Sequence, residues 1–233
     1  MIKLENYEVL GWEHAIRGMR NPMNSWEKSD SYFQQVGCEE FGDDCCKFEY
    51  TVGNNDHDLM MRLAKGGPVH AKYRRMITVY VDITAPLYWW KEFDTYKVGT
   101  VANSCSTMHK IHAKPITRED FSFDGRDDLD FDDELYVDDY AEYIKLDDLT
   151  VVMCEYLRSK YVNSDDKRYW RYLIQILPES YNQLRTVTLN YENLLNMYHA
   201  RKKHKLDEWR KFCDTVAHLP YFLELIGAVD EPQ

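Results

Sequence analysis

Apolar residues recur at helical spacing along most of this 233-residue chain and alternate in only a few short stretches. Alternate residues of a strand face one side of a sheet, whereas a helical face repeats every 3.6 residues. The clearest alternation lies within Tyr73–Ile83, where the alternating apolar residues are Ile77, Val79, Val81 and Ile83. It predicts a strand with one buried face. The pattern predicts a helix-rich α+β protein with a small mixed or antiparallel sheet.

Start and stop signals divide the helical segments. Asp56-His57-Asp58 offers an Asp as N-cap for a helix that ends at Gly66-Gly67-Pro68, and Pro86 opens an aromatic helix over 87–93. Further helices are predicted over 149–161 and 167–177, after the capping residue Asn190, and from about Leu206 beyond Val216. A short strand is predicted over 184–189, and residues 98–110 are predicted to be a loop. We predict one domain over 1–233, with an acidic insertion at about 119–148.

Charge and composition exclude several classes of protein. The formal net charge is −11, whereas a protein that binds nucleic acid polymers needs a positive surface for the phosphates. No apolar stretch approaches the roughly 20 residues that span a bilayer, and the N-terminus lacks the apolar core of a signal peptide. The sequence therefore predicts no nucleic acid polymer and no membrane as partners, and a cytoplasmic location.

Neither the cysteines nor the acidic residues form a recognised metal motif. The six cysteines are Cys38, Cys45, Cys46, Cys105, Cys154 and Cys213, and no two of them form a CxxC pair. The insertion contains Asp127-Asp128, Asp132-Asp133-Glu134 and Asp138-Asp139. These acidic residues indicate a solvated segment or, alternatively, a carboxylate metal site, although no EF-hand pattern is present. We predict no metal.

One predicted helix carries three side chains suited to a nucleotide or flavin. Asn190 and Asn196 can donate and accept hydrogen bonds, and Arg201 can hold a negative charge that develops on a uracil carbonyl. Their spacing does not form one narrow stripe. Spacing alone therefore favours an ordinary alternative, an N-cap Asn and exposed polar residues. The basic run Arg201-Lys202-Lys203-His204-Lys205 suits either a phosphate or a helix C-terminus.

Read in order, these pieces resemble the C-terminal half of flavin-dependent thymidylate synthases. The residues that carry the resemblance are Leu177-Pro178, Thr186, Thr188, the segment Asn190-Tyr191-Glu192-Asn193-Leu194-Leu195-Asn196, Arg201 and Trp209. The family has an Arg where this chain has Glu192. The resemblance implies that Asn190 and Asn196 contact FAD and that Arg201 contacts the dUMP base as the catalytic residue.

The N-terminal half is similar to the same family in layout. Tyr7-Glu8-Val9-Leu10-Gly11 resembles its first strand, Asp58–Gly67 resembles its first helix, and His70 stands where the family has a flavin-lining His. The family signature Arg-His-Arg-x-x-Ser-x-Asn-Glu-x-Ser-x-Arg-Tyr is reduced here to Asn103 and Ser106. Lys97 is the nearest cation to the missing Arg-His-Arg core. Lys97, Asn103 and Ser106 are the implied contacts to dUMP.

The resemblance implies reductive methylation of dUMP to dTMP. Methylenetetrahydrofolate would donate the carbon, reduced FAD the hydride, and NADPH would reduce the flavin, in a homotetramer whose sites are shared between subunits. Two alternatives stay open. The chain could be a catalytically inactive nucleotide- or flavin-binding or regulatory protein on the same scaffold, or a structural interaction domain that uses its acidic segment.

Overall fold

A computed structural model of the protein describes residues 2–36, 47–124, 134–137 and 142–230. Its helices are α1 (Trp12–Arg20), α2 (Asn54–Lys65), α3 (Leu87–Phe93), α4 (Thr107–Lys110), α5 (Leu146–Ser164), α6 (Lys167–Ile176), α7 (Tyr191–Arg201), α8 (Asp207–Ala217) and α9 (Phe222–Asp230). Its strands are β1 (Lys3–Leu10), β2 (Tyr32–Val36), β3 (Lys47–Thr51), β4 (Thr78–Pro86), β5 (Val101–Ser104), β6 (Glu134–Val137), β7 (Glu142–Lys145) and β8 (Asn182–Asn190). The helix-rich α+β class with a small antiparallel sheet is confirmed.

Four strands form the main sheet in the order β1-β4-β8-β5, and β2–β3 and β6–β7 form separate antiparallel hairpins. In β4 the buried residues Val79, Val81 and Ile83 alternate with more exposed ones, which confirms the predicted buried face. The strand begins at Thr78 rather than at Tyr73, because Lys72–Arg75 form a 3-10 turn.

The prediction of a loop over 98–110 was wrong. This stretch contains β5 and α4. All four residues of β5 are exposed, and β5 is the last strand in the sheet order. A strand without a buried face carries no apolar alternation, so its composition resembles that of a loop.

The helix predicted from about Leu206 beyond Val216 is α8, and a further helix, α9, follows it that was not predicted. α8 ends at Ala217 and α9 begins at Phe222. Pro220 stands between them, followed by Tyr221 in a left-handed conformation (φ 59°). Proline has no backbone N–H and its ring clashes with the preceding turn, which explains the break.

The chain forms two compact units. Unit 1 comprises residues 1–5, 82–97 and 102–187, and unit 2 comprises 6–81, 98–101 and 188–233. A core of unit 1 packs around α5 and α6 and contains Ile111, Ile116, Phe121, Cys154, Leu157 and Leu173. The largest fully buried side chains of unit 2 include Ile16, Met60, Tyr191, Trp209, Phe212 and Phe222.

The two ends of the predicted acidic insertion are packed within unit 1. Phe121 and Asp147 are buried, and Asp147 forms an ion pair with Arg118. The Asp pairs at 127–128, 132–133 and 138–139 lie outside the described residues, as do Cys38, Cys45 and Cys46. The single domain with an insertion at about 119–148 stays a prediction.

Candidate functional site

A cavity of about 730 Å³ opens in unit 2, within the range of pockets that hold small-molecule ligands. α1, α2 and the 3-10 turn at Lys72–Arg75 contribute to its walls. The lining residues are Gly18, Met19, Arg20, Pro22, Met23, Ser25, Lys28, Leu59, Arg62, Leu63, Val69, His70, Lys72, Tyr73 and Met76.

The charge of this cavity is opposite to the charge of the whole chain. Its lining includes four cationic side chains and one histidine, and none of the described lining residues is Asp or Glu. The basic residues are Arg20, Lys28, Arg62, His70 and Lys72. Arg20 is compensated by the buried Asp56 carboxylate, so Lys28, Arg62 and Lys72 are the cations that favour an anion here, in a chain of net charge −11.

Exposed apolar side chains line the same cavity. Met23, Val69 and Met76 are 79%, 72% and 44% exposed. Tyr73 is buried beside them, and its hydroxyl donates to the Met60 carbonyl at 2.9 Å. Apolar surface next to cations fits a ligand that combines a ring system with a phosphate or carboxylate.

One wall of the cavity is fixed by a buried carboxylate on α2. Asp56 accepts five hydrogen bonds, from Arg20 Nε (2.5 Å), the Ser29 and Ser31 hydroxyls (2.7 and 2.6 Å), and the backbone N–H groups of Asp30 and Ser31 (both 3.1 Å). Burial raises the pKa of Asp56, but the hydrogen bonds from Ser31, Ser29 and Arg20 outweigh it and hold that pKa below its ordinary value.

The prediction that an Asp caps α2 was therefore wrong. The helix begins at Asn54 and its N-cap is Gly53, so Asp56 lies inside the first turn. The capping interaction comes from Asp30, whose carboxylate accepts from the backbone N–H groups of Asn55 and Asp56 at 2.9 and 3.1 Å. Local sequence cannot show this, because the cap lies more than twenty residues away.

Among the residues predicted from the sequence, His70 lies at this cavity. It is exposed, and its ring packs against Gly66, where an added Cβ would approach the ring to within 3.2–3.3 Å. A glycine at the C-terminal end of α2 thus leaves space for the imidazole. The flavin role of His70 stays a prediction.

Asn190 caps α7, as its sequence position indicated. Its Oδ1 accepts from the Asn193 backbone N–H at 3.0 Å, and the Asn193 side chain completes a capping box. Asn193 Nδ2 also donates to the Val98 carbonyl at 2.6 Å. Gly99, at φ 76°, lies against both amides, since a Cβ there would come within 2.9–3.0 Å of them. The two asparagines therefore also hold the backbone at 98–99.

Asn196 and Arg201 occupy different parts of α7. Asn196 is exposed, whereas Arg201 is half-buried and its guanidinium lies 4.8 Å from the centre of the Trp209 ring. This cation–π contact fixes the orientation of the guanidinium. None of the three predicted residues of α7 is among those that line the 730 Å³ cavity.

The three remaining predicted residues belong to unit 1. Lys97 and Asn103 are exposed, and Asn103 lies in β5. Ser106 is the N-cap of α4, where its hydroxyl accepts from the His109 backbone N–H at 3.0 Å. Their role as dUMP contacts stays a prediction.

Sequence reasoning missed the cations of the cavity. Lys28, Arg62 and Lys72 are separated along the chain and share no motif. One signal was available, because Leu59, Arg62 and Leu63 recur at i, i+3 and i+4 and so share a face of α2. Within the described ranges, no three His, Cys, Asp or Glu side chains are grouped to hold a metal ion, and no helix is long and apolar enough to cross a bilayer.

The fold of this chain is similar to that of solved structures over nearly its whole length. Thymidylate synthase X from Helicobacter pylori, solved with FAD and dUMP, superposes with a TM-score of 0.60 at 15% identity and 99% coverage of both chains. The UMP/dUMP methylase PolB from Streptomyces cacaoi, solved with 5-Br dUMP, gives 0.54 at 13% identity, covering 98% of this chain and 93% of that one. No family model and no curated protein matches the sequence. At 13–15% sequence identity, this structural likeness shows a shared fold.

Proposed function

We propose that this protein is a flavin-dependent enzyme that methylates dUMP to dTMP. The observation that carries the proposal is a fold likeness over 99% of the chain to a protein solved with FAD and dUMP. Within that fold, unit 2 offers a cation-lined cavity that includes His70. Both ligands carry phosphate, which suits the positive lining.

The residues of the cavity fit a phosphorylated flavin. Lys28, Arg62 and Lys72 would hold its phosphates, and Met23 and Met76 would pack against its ring system. Reduced FAD, when bound, supplies a hydride, with methylenetetrahydrofolate as carbon donor and NADPH as the reductant of the flavin.

Arg201 would bind the dUMP base. Its contact with Trp209 holds the guanidinium in one orientation before the ligand arrives, and a pre-oriented charge costs little reorganisation when negative charge develops on a carbonyl. Lys97, Asn103 and Ser106 would contact dUMP, and Asn190 and Asn196 the flavin. We further propose a cytoplasmic homotetramer in which subunits share sites, because none of these six residues is among those that line the 730 Å³ cavity of unit 2.

A second function, binding without catalysis, is favoured by a specific observation. Two predicted ligand groups already have structural partners, since Asn190 caps α7 and Ser106 caps α4. Glu192 is paired with Arg74. Flavin-dependent thymidylate synthases, which the sequence resembles, have an Arg at this position. A protein of this kind would bind FAD or dUMP and catalyse no dUMP-dependent flavin oxidation.

Thermal denaturation with FAD and dUMP added separately tests the proposal. A ligand at 100 times its Kd stabilises the native state by about 2.7 kcal/mol, which raises Tm by roughly 6–10 °C in a protein of this size. We expect Lys28→Gln and Arg62→Gln each to weaken FAD binding about tenfold. Lys211→Gln, an exposed lysine on α8 that does not line the cavity, is the matched control.

The outcomes separate the two functions. Binding of FAD and dUMP with dUMP-dependent oxidation of reduced flavin supports the enzyme, and binding of either ligand without oxidation supports the binding protein. If neither ligand shifts Tm and the purified protein shows no flavin absorbance, both functions are wrong.

A further inference from the structure

A second, smaller cavity in unit 2 has a different chemical character. Its volume is about 240 Å³, and it is lined by Glu13, Arg17, Arg20, Trp26, Ser29, Ser31, Tyr32, Phe33 and Tyr50. None of these residues was predicted to bind a ligand, and four of the nine are aromatic. Trp26, Tyr32 and Phe33 are 44%, 55% and 55% exposed, so a cluster of large rings faces solvent around one concavity.

The aromatic walls are held in position before any ligand binds. The Trp26 indole N–H donates to Asn21 Oδ1 at 2.8 Å, which fixes the ring plane. Phe33 and Tyr50 lie edge to face across the β2–β3 hairpin, with ring centres 5.0 Å apart. Rings fixed in this way lose little conformational entropy on binding a further ring.

The polar groups at the back of the cavity are already paired. Arg20 and the hydroxyls of Ser29 and Ser31 donate to the buried carboxylate of Asp56. The charged groups that remain are Glu13 and Arg17, which are both exposed on α1 and stand four residues apart. Exposed charges of opposite sign at this spacing interact only weakly, so a ligand can engage both at little cost.

We propose that this cavity binds a free aromatic amino acid. The side-chain ring packs among Trp26, Phe33 and Tyr50, the carboxylate pairs with Arg17, and the ammonium group pairs with Glu13. The size agrees, since a cavity of about 150 Å³ holds benzene and the 240 Å³ here leaves room for a short zwitterionic chain. One acidic and one basic residue match a zwitterion better than they match an anion.

Three ligands of nearly equal size test this assignment by isothermal titration calorimetry on the full chain. They are L-phenylalanine, 2-phenylethylamine, which lacks the carboxylate, and 3-phenylpropionate, which lacks the ammonium group. We expect L-phenylalanine to bind about two- to fivefold more tightly than either analogue, because each analogue leaves one exposed charged group of the protein without a ligand partner.

Single substitutions locate the site. We expect Arg17→Gln to remove the advantage of L-phenylalanine over 2-phenylethylamine, and Glu13→Gln to remove its advantage over 3-phenylpropionate. Trp26→Ala should weaken all three ligands, whereas Tyr172→Ala, a 51% exposed tyrosine of unit 1, should change none. Circular dichroism confirms the folding of each variant, and Phe33→Leu provides a second change in the ring cluster.

Absence of heat and of any Tm shift with millimolar L-phenylalanine would overturn the proposal. Binding that is indifferent to Arg17→Gln, Glu13→Gln and Trp26→Ala would also overturn it, because the ligand would then occupy another site. Equal affinity for 3-phenylpropionate would likewise overturn it, because Glu13 would then make no contact with an ammonium group.

Discussion

Glu192 Oε2 on α7 lies 2.8 Å from Arg74 Nε in the 3-10 turn at Lys72–Arg75, and both side chains are largely buried. The atoms are close but not aligned as a hydrogen bond, so the contact is an ion pair. Flavin-dependent thymidylate synthases, which the sequence resembles, have an Arg at this position. In this chain the carboxylate of Glu192 has its partner within unit 2, in the guanidinium of Arg74 on the 3-10 turn.

Replacing Glu192 with Arg is expected to destabilise the protein. Two guanidinium groups would then face each other in a buried site, and breaking a buried pair costs about 3–5 kcal/mol. Urea denaturation measures the change. The exchange variant Arg74→Glu/Glu192→Arg is the control and should recover more than half of the loss. A Glu192→Arg protein as stable as the wild type would contradict the role of this pair.

Replacing Asp56 with Asn is expected to lower the free energy of unfolding by about 3 kcal/mol at pH 7, because Arg20 loses its buried partner. The pKa of Asp56 is lowered in the folded state, so its contribution is fully present above the unfolded value of 3.8 and declines as pH falls through the folded pKa. The difference between wild type and Asp56→Asn should therefore narrow below about pH 4. Urea denaturation at pH 7 and pH 3 measures the difference in unfolding free energy between the two proteins. A difference that is the same at both pH values would contradict the lowered pKa of Asp56.

Two substitutions at Asn190 separate capping from cofactor binding. Asn190→Ala should cost about 1 kcal/mol of stability, because it removes the oxygen that accepts from the Asn193 N–H. Asn190→Asp keeps an acceptor and should keep that stability, but it loses the amide donor. If the amide donates to flavin, Asn190→Asp should reduce the Tm shift caused by FAD. An unchanged FAD shift in that variant would assign Asn190 a capping role only.

Arg201→Ala is expected to abolish the Tm shift caused by dUMP. It should also cost about 1 kcal/mol of stability, since the guanidinium covers the buried Trp209 ring. Arg201→Lys keeps the charge without the planar fork and should bind dUMP weakly. Lys203→Ala removes a nearby exposed cation and serves as the control. Loss of dUMP binding in both alanine variants would indicate general electrostatic attraction rather than a contact by Arg201.

The three described cysteines should differ sharply in their reactivity. Burial raises the pKa of the Cys154 thiol to about 11 and that of Cys213 to about 12, whereas Cys105 is exposed. The thiolate is the reactive form, so iodoacetamide at pH 8 should label Cys105 in the native protein and the other two only after unfolding. Peptide mass spectrometry measures each site separately. Labelling of native Cys154 at the rate of Cys105 would show that the α5–α6 core opens readily.

Local sequence determined those elements whose signals are local. The alternation in β4 predicted its buried face, Pro86 marked the start of α3, and the short polar side chain of Asn190 predicted the cap of α7. In each case the residues that carry the signal lie within the helix or strand that they predict, or directly next to it. The order of motifs near Asn190 and Arg201 indicated the fold that the structural comparison supports.

The tertiary structure decided what depends on residues far apart in the chain. Asp56 has the sequence features of a helix cap, yet α2 begins at Asn54. Asp30 supplies the cap, and the Asp56 carboxylate pairs with Arg20 instead. The exposed edge strand β5 carried no apolar alternation, so it could not be distinguished from a loop. The cations of the 730 Å³ cavity and the aromatic rings of the 240 Å³ cavity come together only in the folded chain. A periodic pattern predicts helices and strands, but it does not predict which distant segments will pack together.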